Sequence, residues 1–196
     1  MRRYRLVLWV ALIANALMFV VELIGAERAG SLSLLADSID FAGDAMNYAV
    51  SLAVLGSLLA VRARASLVKA ACMIGFGLFV LVAAMLRMAV GVPPEPITMG
   101  VVGALALAVN VGVALMLFAW RDGDANMRSV WLCSRNDALG NIAVLAAALG
   151  VFGTAAAWPD LTVAAFMAAL ALRSGTAVWR QARQELRSVP GAPGGH

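Results

Sequence analysis

The chain is poor in the residues that most catalytic and crosslinking chemistry requires. Among 196 residues there is one histidine, His196, at the end of a polar tail, and there are two cysteines, Cys72 and Cys133, each inside an apolar segment of a different predicted helix. A disulfide framework is not indicated, and Cys72 reads as a small apolar residue. No Ser/His/Asp constellation, glycine-rich phosphate loop or basic patch interleaved with aromatics is present, so neither an enzyme nor a nucleic-acid binder is expected. Charge is scarce as well: 13% of residues are charged against 63% apolar, and the mean hydropathy is +0.89. That balance lies outside the range of soluble domains and fits a chain whose solvent is the bilayer.

What is present is a series of long apolar windows. A helix needs about 20 apolar residues to cross roughly 30 Å of hydrocarbon. Six windows qualify, at approximately 6–25, 32–60, 68–91, 97–119, 129–152 and 160–179. The breaks between them, "GAERAGS", "RARAS", "GVPPEPIT", "WRDGDANMRS" and "GTAAAWPD", are short and rich in glycine, proline or charge. The expectation is an all-α membrane protein with six transmembrane helices in one domain, residues 1–180, followed by a short disordered polar tail, 181–196. The first window follows "MRRYR" but is interrupted by Asn15 and Glu22 and has no small-residue cleavage site, so it reads as a retained helix and not a signal peptide.

Orientation follows from the basic residues. Arg2, Arg3, Arg5, Arg62, Arg64, Lys69, Arg121, Arg128, Arg180, Arg183 and Arg187 fall on one side of a six-span arrangement, with only Arg28 in the opposite loops and Arg87 near a helix end there. By the positive-inside rule both termini are expected in the cytoplasm. The net charge of +4 is then a signal of topology.

Against this background a few polar groups stand at membrane depth: Asn15 and Glu22 in helix 1; Asp37, Asp40, Asp44 and Asn47 in helix 2; Asn110 in helix 4; Arg135, Asn136, Asp137 and Asn141 in helix 5; and Arg173 in helix 6. Each ionisable group costs about 2.5–3.5 kcal/mol at the bilayer centre on insertion scales, and such groups mark ion or proton pathways. Asp40 and Asp44 are separated by about 40° and about 6 Å of rise, with Asp37 one turn earlier, so helix 2 carries an acidic stripe. Carboxylates one turn apart repel each other unless a cation or protons lie between them. Helix 5 offers a second four-spaced pair, Cys133 and Asp137, while Arg135 points the other way. Asp40, Asp44, Cys133 and Asp137 together make three carboxylates and a thiolate, a tetrahedral set suited to a borderline-soft divalent metal such as Zn or Cd.

Other readings stand beside this one. The acids are ion-paired with Arg135 and Arg173 in a non-transporting scaffold, or they bind small organic cations directly in a proton-coupled exporter. Asn and Gly in helix 5 read as packing and interhelical hydrogen bonding. The ten methionines share no face and do not form a copper relay.

"AGSLSLLADSIDFAGDAMNY" resembles the second helix of the cation diffusion facilitators, whose pattern is approximately S-x-S-L-L-A-D-A-x-[HD]-x-x-x-D. "NMRSVWLCSRNDALGN" resembles their fifth helix, and Glu22 and Gly25 in "VELIG" their first. The resemblance places Asp40, Asp44 and Asp137 on metal ligands and Cys133 where histidine is common, a change that favours softer ions. Asp37, Glu22 and Asn136 are auxiliary or proton-path candidates. It implies export of divalent metal, Zn and also Cd, by proton antiport across the inner (cytoplasmic) membrane, with the metal as substrate and no cofactor. A homodimer in the lipid bilayer is implied too. Family members usually continue into a cytoplasmic domain, whereas only "RQARQELRSVPGAPGGH" follows helix 6 here; a dimer would then form through the membrane part.

Overall fold

A computed structural model describes residues 2–53, 59–120 and 125–188, with the side chains of the fifth helix from Asp137 onward. Among the described residues there are six α-helices: α1 (Arg2–Ala29), α2 (Leu32–Ala53), α3 (Leu59–Val90), α4 (Pro96–Leu117), α5 (Ala125–Thr154) and α6 (Trp158–Ser188), with a 3-10 turn at Phe118–Trp120 after α4. Five are long and apolar enough to cross a membrane. The exception is α2, whose 22 residues carry the three aspartates. The outer surface is apolar: Leu17, Met85, Leu86, Leu115, Leu149 and Phe152 are 63–73% exposed, the inverse of a soluble fold and the arrangement that hydrocarbon solvent selects. The chain is a multi-pass membrane protein.

Two boundaries differ from the sequence expectation. Helix α3 begins at Leu59, within the window expected at 32–60, and runs through the basic stretch expected as a break, while positions 54–58 of that window lie outside the described residues. Arginine and alanine are strong helix formers, and "RARA" is no obstacle once Arg64 is exposed and Ala63 is buried. Residues 181–188, expected as disordered tail, continue α6. Gln181 Nε2 donates to Glu185 Oε1 at 3.0 Å, a contact one turn apart that supports an exposed helix.

Helices α3 and α6 pack most intimately. A Cβ on Gly175 would lie 2.9 Å from Ile74 Cγ1, and one on Gly77 3.0 Å from Leu172, so small residues set this interface where no hydrophobic drive separates protein from lipid. The largest apolar cluster gathers Ala26, Leu34, Val80, Met99, Val144, Val151, Leu161 and Met167 from all six helices. It lies toward the end where α1 turns into α2, which is called the turn end below.

That end is held by polar contacts made between helices. Gly30, at φ +66°, closes the α1–α2 turn in a conformation that glycine adopts without a Cβ penalty. The Arg87 guanidinium of α3 donates to the Gly30 carbonyl, and Glu95 N–H donates to the Ala29 carbonyl at 2.8 Å. Ser31 is the N-cap of α2, its Oγ accepting from Leu34 N–H at 3.1 Å. The neighbouring N–H groups of α2 go to a carboxylate from another helix: Leu32 N donates to Asp160 Oδ2 at 2.9 Å and Ser33 N to Asp160 Oδ1 at 3.0 Å. The Ser31 and Ser33 hydroxyls add bonds of 2.7 and 2.6 Å to Asp160 Oδ1. Asp160 is 1% exposed, and its charge sits at the positive end of the α2 dipole.

At the start of α4, Glu95 is the N-cap, accepting from Ile97 N and Thr98 N at 2.8 and 2.6 Å, with Pro96 opening the helix. Hydrogen bonds from Thr98 and then Ile97 hold the exposed Glu95 carboxyl below its ordinary range.

Two predictions follow from these caps. Asp160→Ala leaves the Leu32 and Ser33 N–H groups buried without partners and removes one bond from each serine hydroxyl; at about 1–3 kcal/mol for each buried unsatisfied group, the thermal midpoint in detergent should fall by several degrees, with Asp160→Asn falling less. Equal midpoints would contradict the cap. For Glu95 the folded state holds the ionised form, so its contribution is present above the ordinary carboxyl pKa and is lost as pH falls through the lower folded value. Glu95→Ala should cost about 1 kcal/mol or less at neutral pH and nothing below that window, read from thermal melts against pH.

Candidate functional site

The buried face of α2 reads Asp37, Phe41, Asp44, Tyr48 and Ser51, positions that alternate by four and three and so form one inward stripe. Asp37 and Asp44 are 2% and 6% exposed, whereas Asp40, one residue to the side of Phe41, is half-buried. The acidic stripe is therefore two acids deep inside and one at its edge. Phe41 packs with Met18 and Ala106, which wedges an apolar layer between Asp37 and Asp44.

The antiparallel α5 supplies the partners. Asp137 is half-buried with its Oδ2 fully enclosed, and it lies against Asp44, with Asp40 and then Asp37 as its next acidic neighbours. One turn on, Asn141 is fully buried, donating from Nδ2 to Asp37 Oδ2 at 2.5 Å and accepting from Asn110 Nδ2 at 2.9 Å. Asn141 thus has the interhelical bonding role expected of it, and it fixes the register: Asp137 stands at the level of Asp44 and Asn141 at that of Asp37. On α1, Glu22 is 0% exposed and lies beside Asp37, with Asp40 further off. Asn15, also buried, donates to the Ala11 carbonyl at 2.8 Å.

Of the residues singled out by sequence, Asp37, Asp40, Asp44, Asp137 and Glu22 are brought together. Cys133 and Asn136, like Arg135, lie on α5 outside the described side chains. Arg173 is exposed on α6 and not among the acids. Among the described residues no three carboxylate, thiol or imidazole groups come together as a set that could hold a metal ion; Asp137 lies against Asp44, with Asp40 as the next acid. An apolar cleft of about 190 Å³ adjoins α2, lined by Phe19, Leu23, Ile39, Met46, Cys72 and Phe76 among others, and none of the acids lines it. Cys72 takes its expected place as a small apolar group there.

Sequence reasoning missed Asp160. An acid in the first turn of a helix reads as an ordinary partner of its own helix dipole. Its actual partner, Leu32, is 128 positions away, and no local pattern signals that.

Residues 61–186, from near the start of α3 almost to the end of α6, match the family model of the cation efflux transmembrane domain. The "Cadmium, cobalt and zinc/H(+)-K(+) antiporter" of Bacillus velezensis (strain DSM 23117 / BGSC 10A6 / LMG 26770 / FZB42) is 27% identical over 192 residues, covering 89% of this chain and 60% of that protein. The chain thus spans less than two thirds of that relative's length. The family match begins after α2, so it is independent of the acidic stretch that carries the resemblance in sequence. On the match over well more than half of its length, the chain belongs to the cation efflux family, the cation diffusion facilitators.

Proposed function

We propose that the protein is a secondary active transporter that exports divalent metal cations, Zn and also Cd, from the cytoplasm across the inner membrane in exchange for protons. The observation that carries this reading is the placement of Asp137 of α5 against Asp44 of α2, with Asp40 beside them, inside a bundle whose outer surface is apolar. Asp40, Asp44 and Asp137 bind the metal as substrate. Cys133, four residues and one turn before Asp137 on α5, supplies a thiolate that moves preference toward softer ions. The relative's printed name, with cadmium, cobalt and zinc against protons and potassium, supports the same substrate class.

The physical logic is that of linkage. Metal binds deprotonated ligands, so loading releases protons and reprotonation releases metal. A site shared by two helices needs only to change which end of the bundle is open. Two copies are expected to pair through the membrane helices. The organic-cation reading gains no support, because the apolar cleft that would seat a lipophilic body lacks the acids that would bind its charge.

Zn and Cd uptake into inside-out proteoliposomes under a pH gradient tests the proposal. Asp44→Ala and Asp137→Ala should each lower uptake at least tenfold, and unchanged uptake in both would contradict the metal site. In Cys133→Ser, Cd uptake should fall more than Zn uptake; an equal effect on the two ions would remove the thiolate from the ligand set.

A further inference from the structure

Beyond the set at Asp40, Asp44 and Asp137, the bundle holds a second pair of acids that the metal site does not use. Glu22 is 0% exposed, and both of its carboxylate oxygens are enclosed without a hydrogen-bond partner. It lies beside Asp37, 2% exposed, whose Oδ2 takes the Asn141 amide. Among the described residues no lysine or arginine acts on either acid. The groups that face the pair are Asp40 on α2, Asp137 on α5 and the Asn141–Asn110 amide pair reaching back to α4.

A carboxylate removed from water is penalised by several kcal/mol unless its lone pairs are met. Asp160 in the same protein shows what a structural solution looks like, with four donors on one buried carboxylate. Glu22 has none. Its two bare oxygens are acceptors, and what they lack is a donor or a cation. We propose that Glu22 and Asp37 form a second, oxygen-only cation site that takes the monovalent counter-cation, separate from the metal set and antagonistic to it. This rests on the metal-export reading.

The donor set selects the occupant. Carboxylate and amide oxygens are hard and offer nothing to a thiophilic metal. The enclosure admits only an ion stripped of its water, which disfavours a divalent ion and suits a proton or an alkali cation such as K+. Position supplies the coupling. Asp40 is close enough to act on Glu22, and Asp37 to act on Asp137. A divalent charge among Asp40, Asp44 and Asp137 therefore weakens the field that holds the counter-cation, and a filled Glu22–Asp37 pair weakens the hold on metal. Such reciprocal antagonism is a coupling free energy between two sites, and it is the thermodynamic requirement for exchange.

The test uses the full chain as wild type, Glu22→Gln, Asp37→Asn and Glu22→Asp. With no divalent metal present, thermal midpoints are read against K+ at fixed pH and against pH at fixed ionic strength. A ligand that binds only the folded state raises its midpoint, so wild type should respond to one of the two, which identifies the occupant as alkali cation or proton. Glu22→Gln should lose that response, keeping only the acid-limb change that Glu95 contributes, and Glu22→Asp should keep part of it. Titration calorimetry should find Cd binding in Glu22→Gln within about threefold of wild type, while Cd uptake driven by the matching gradient falls at least tenfold. A wild type indifferent to both K+ and pH would overturn the proposal, as would gradient-driven uptake retained in both Glu22→Gln and Asp37→Asn. So would loss of Cd binding in a folded Glu22→Gln that Glu22→Asp does not restore. A wild type that binds no Cd would instead contradict the metal-export reading, while the midpoints without metal still decide the cation pair.

Discussion

The constraint on which this protein turns is the penalty for holding carboxylates out of water. An apolar bundle with a lipid-facing exterior tolerates a buried acid only if donors or a cation meet its lone pairs. Asp160 and Glu22 are buried to nearly the same degree, 1% and 0% exposed, and they meet that constraint in opposite ways. Asp160 is fully committed to the first turn of α2, so it serves to build. Glu22 is left open, as is Asp137 Oδ2, and these open oxygens lie together with Asp37, Asp40 and Asp44. Satisfaction, more than burial, divides the acids of this bundle into those that hold the fold and those that wait for a charge.

The fold arranges this contrast along its axis. At the turn end, Asp160, Arg87 and Glu95 tie α6, α3 and the loop before α4 to the α1–α2 turn, over the largest apolar cluster. The start of α2 is thereby fixed to α6, and the acids follow on its inward face one and three turns later. Phe41 separates Asp37 from Asp44, and α5 presents Asn141 to the first and Asp137 to the second. The layering of an amide-held acid, an aromatic spacer and an acid pair gives one helix stripe two acidic levels.

Much of this was legible in the chain. Scarce charge and six apolar windows announce a helical membrane protein, because length and composition alone decide what hydrocarbon accepts. The four-residue spacings of Asp40 with Asp44 and of Cys133 with Asp137 put each pair on one face of its helix, since helix geometry is fixed. Which of three stripe acids lies deepest was not legible: Asp40 sits at the edge because Phe41 takes the inward position, a matter of how α1 and α4 pack on α2. The register of α2 against α5 is set by the Asn141–Asp37 bond, which joins residues 104 positions apart. The helical course of the basic stretch in α3 and the extension of α6 escaped because basic residues punctuate a sequence by charge, yet arginine, glutamine and glutamate continue a helix readily.

X-ray absorption spectroscopy of the Zn-loaded protein, compared between wild type and Cys133→Ser, tests the central claim most directly. The account predicts a first shell dominated by oxygen at about 2.0–2.2 Å with a single sulfur near about 2.3 Å, the sulfur vanishing in the variant and the whole shell reverting to that of hydrated Zn in Asp44→Ala. A wild-type shell without sulfur that is also unchanged in Asp44→Ala would contradict it.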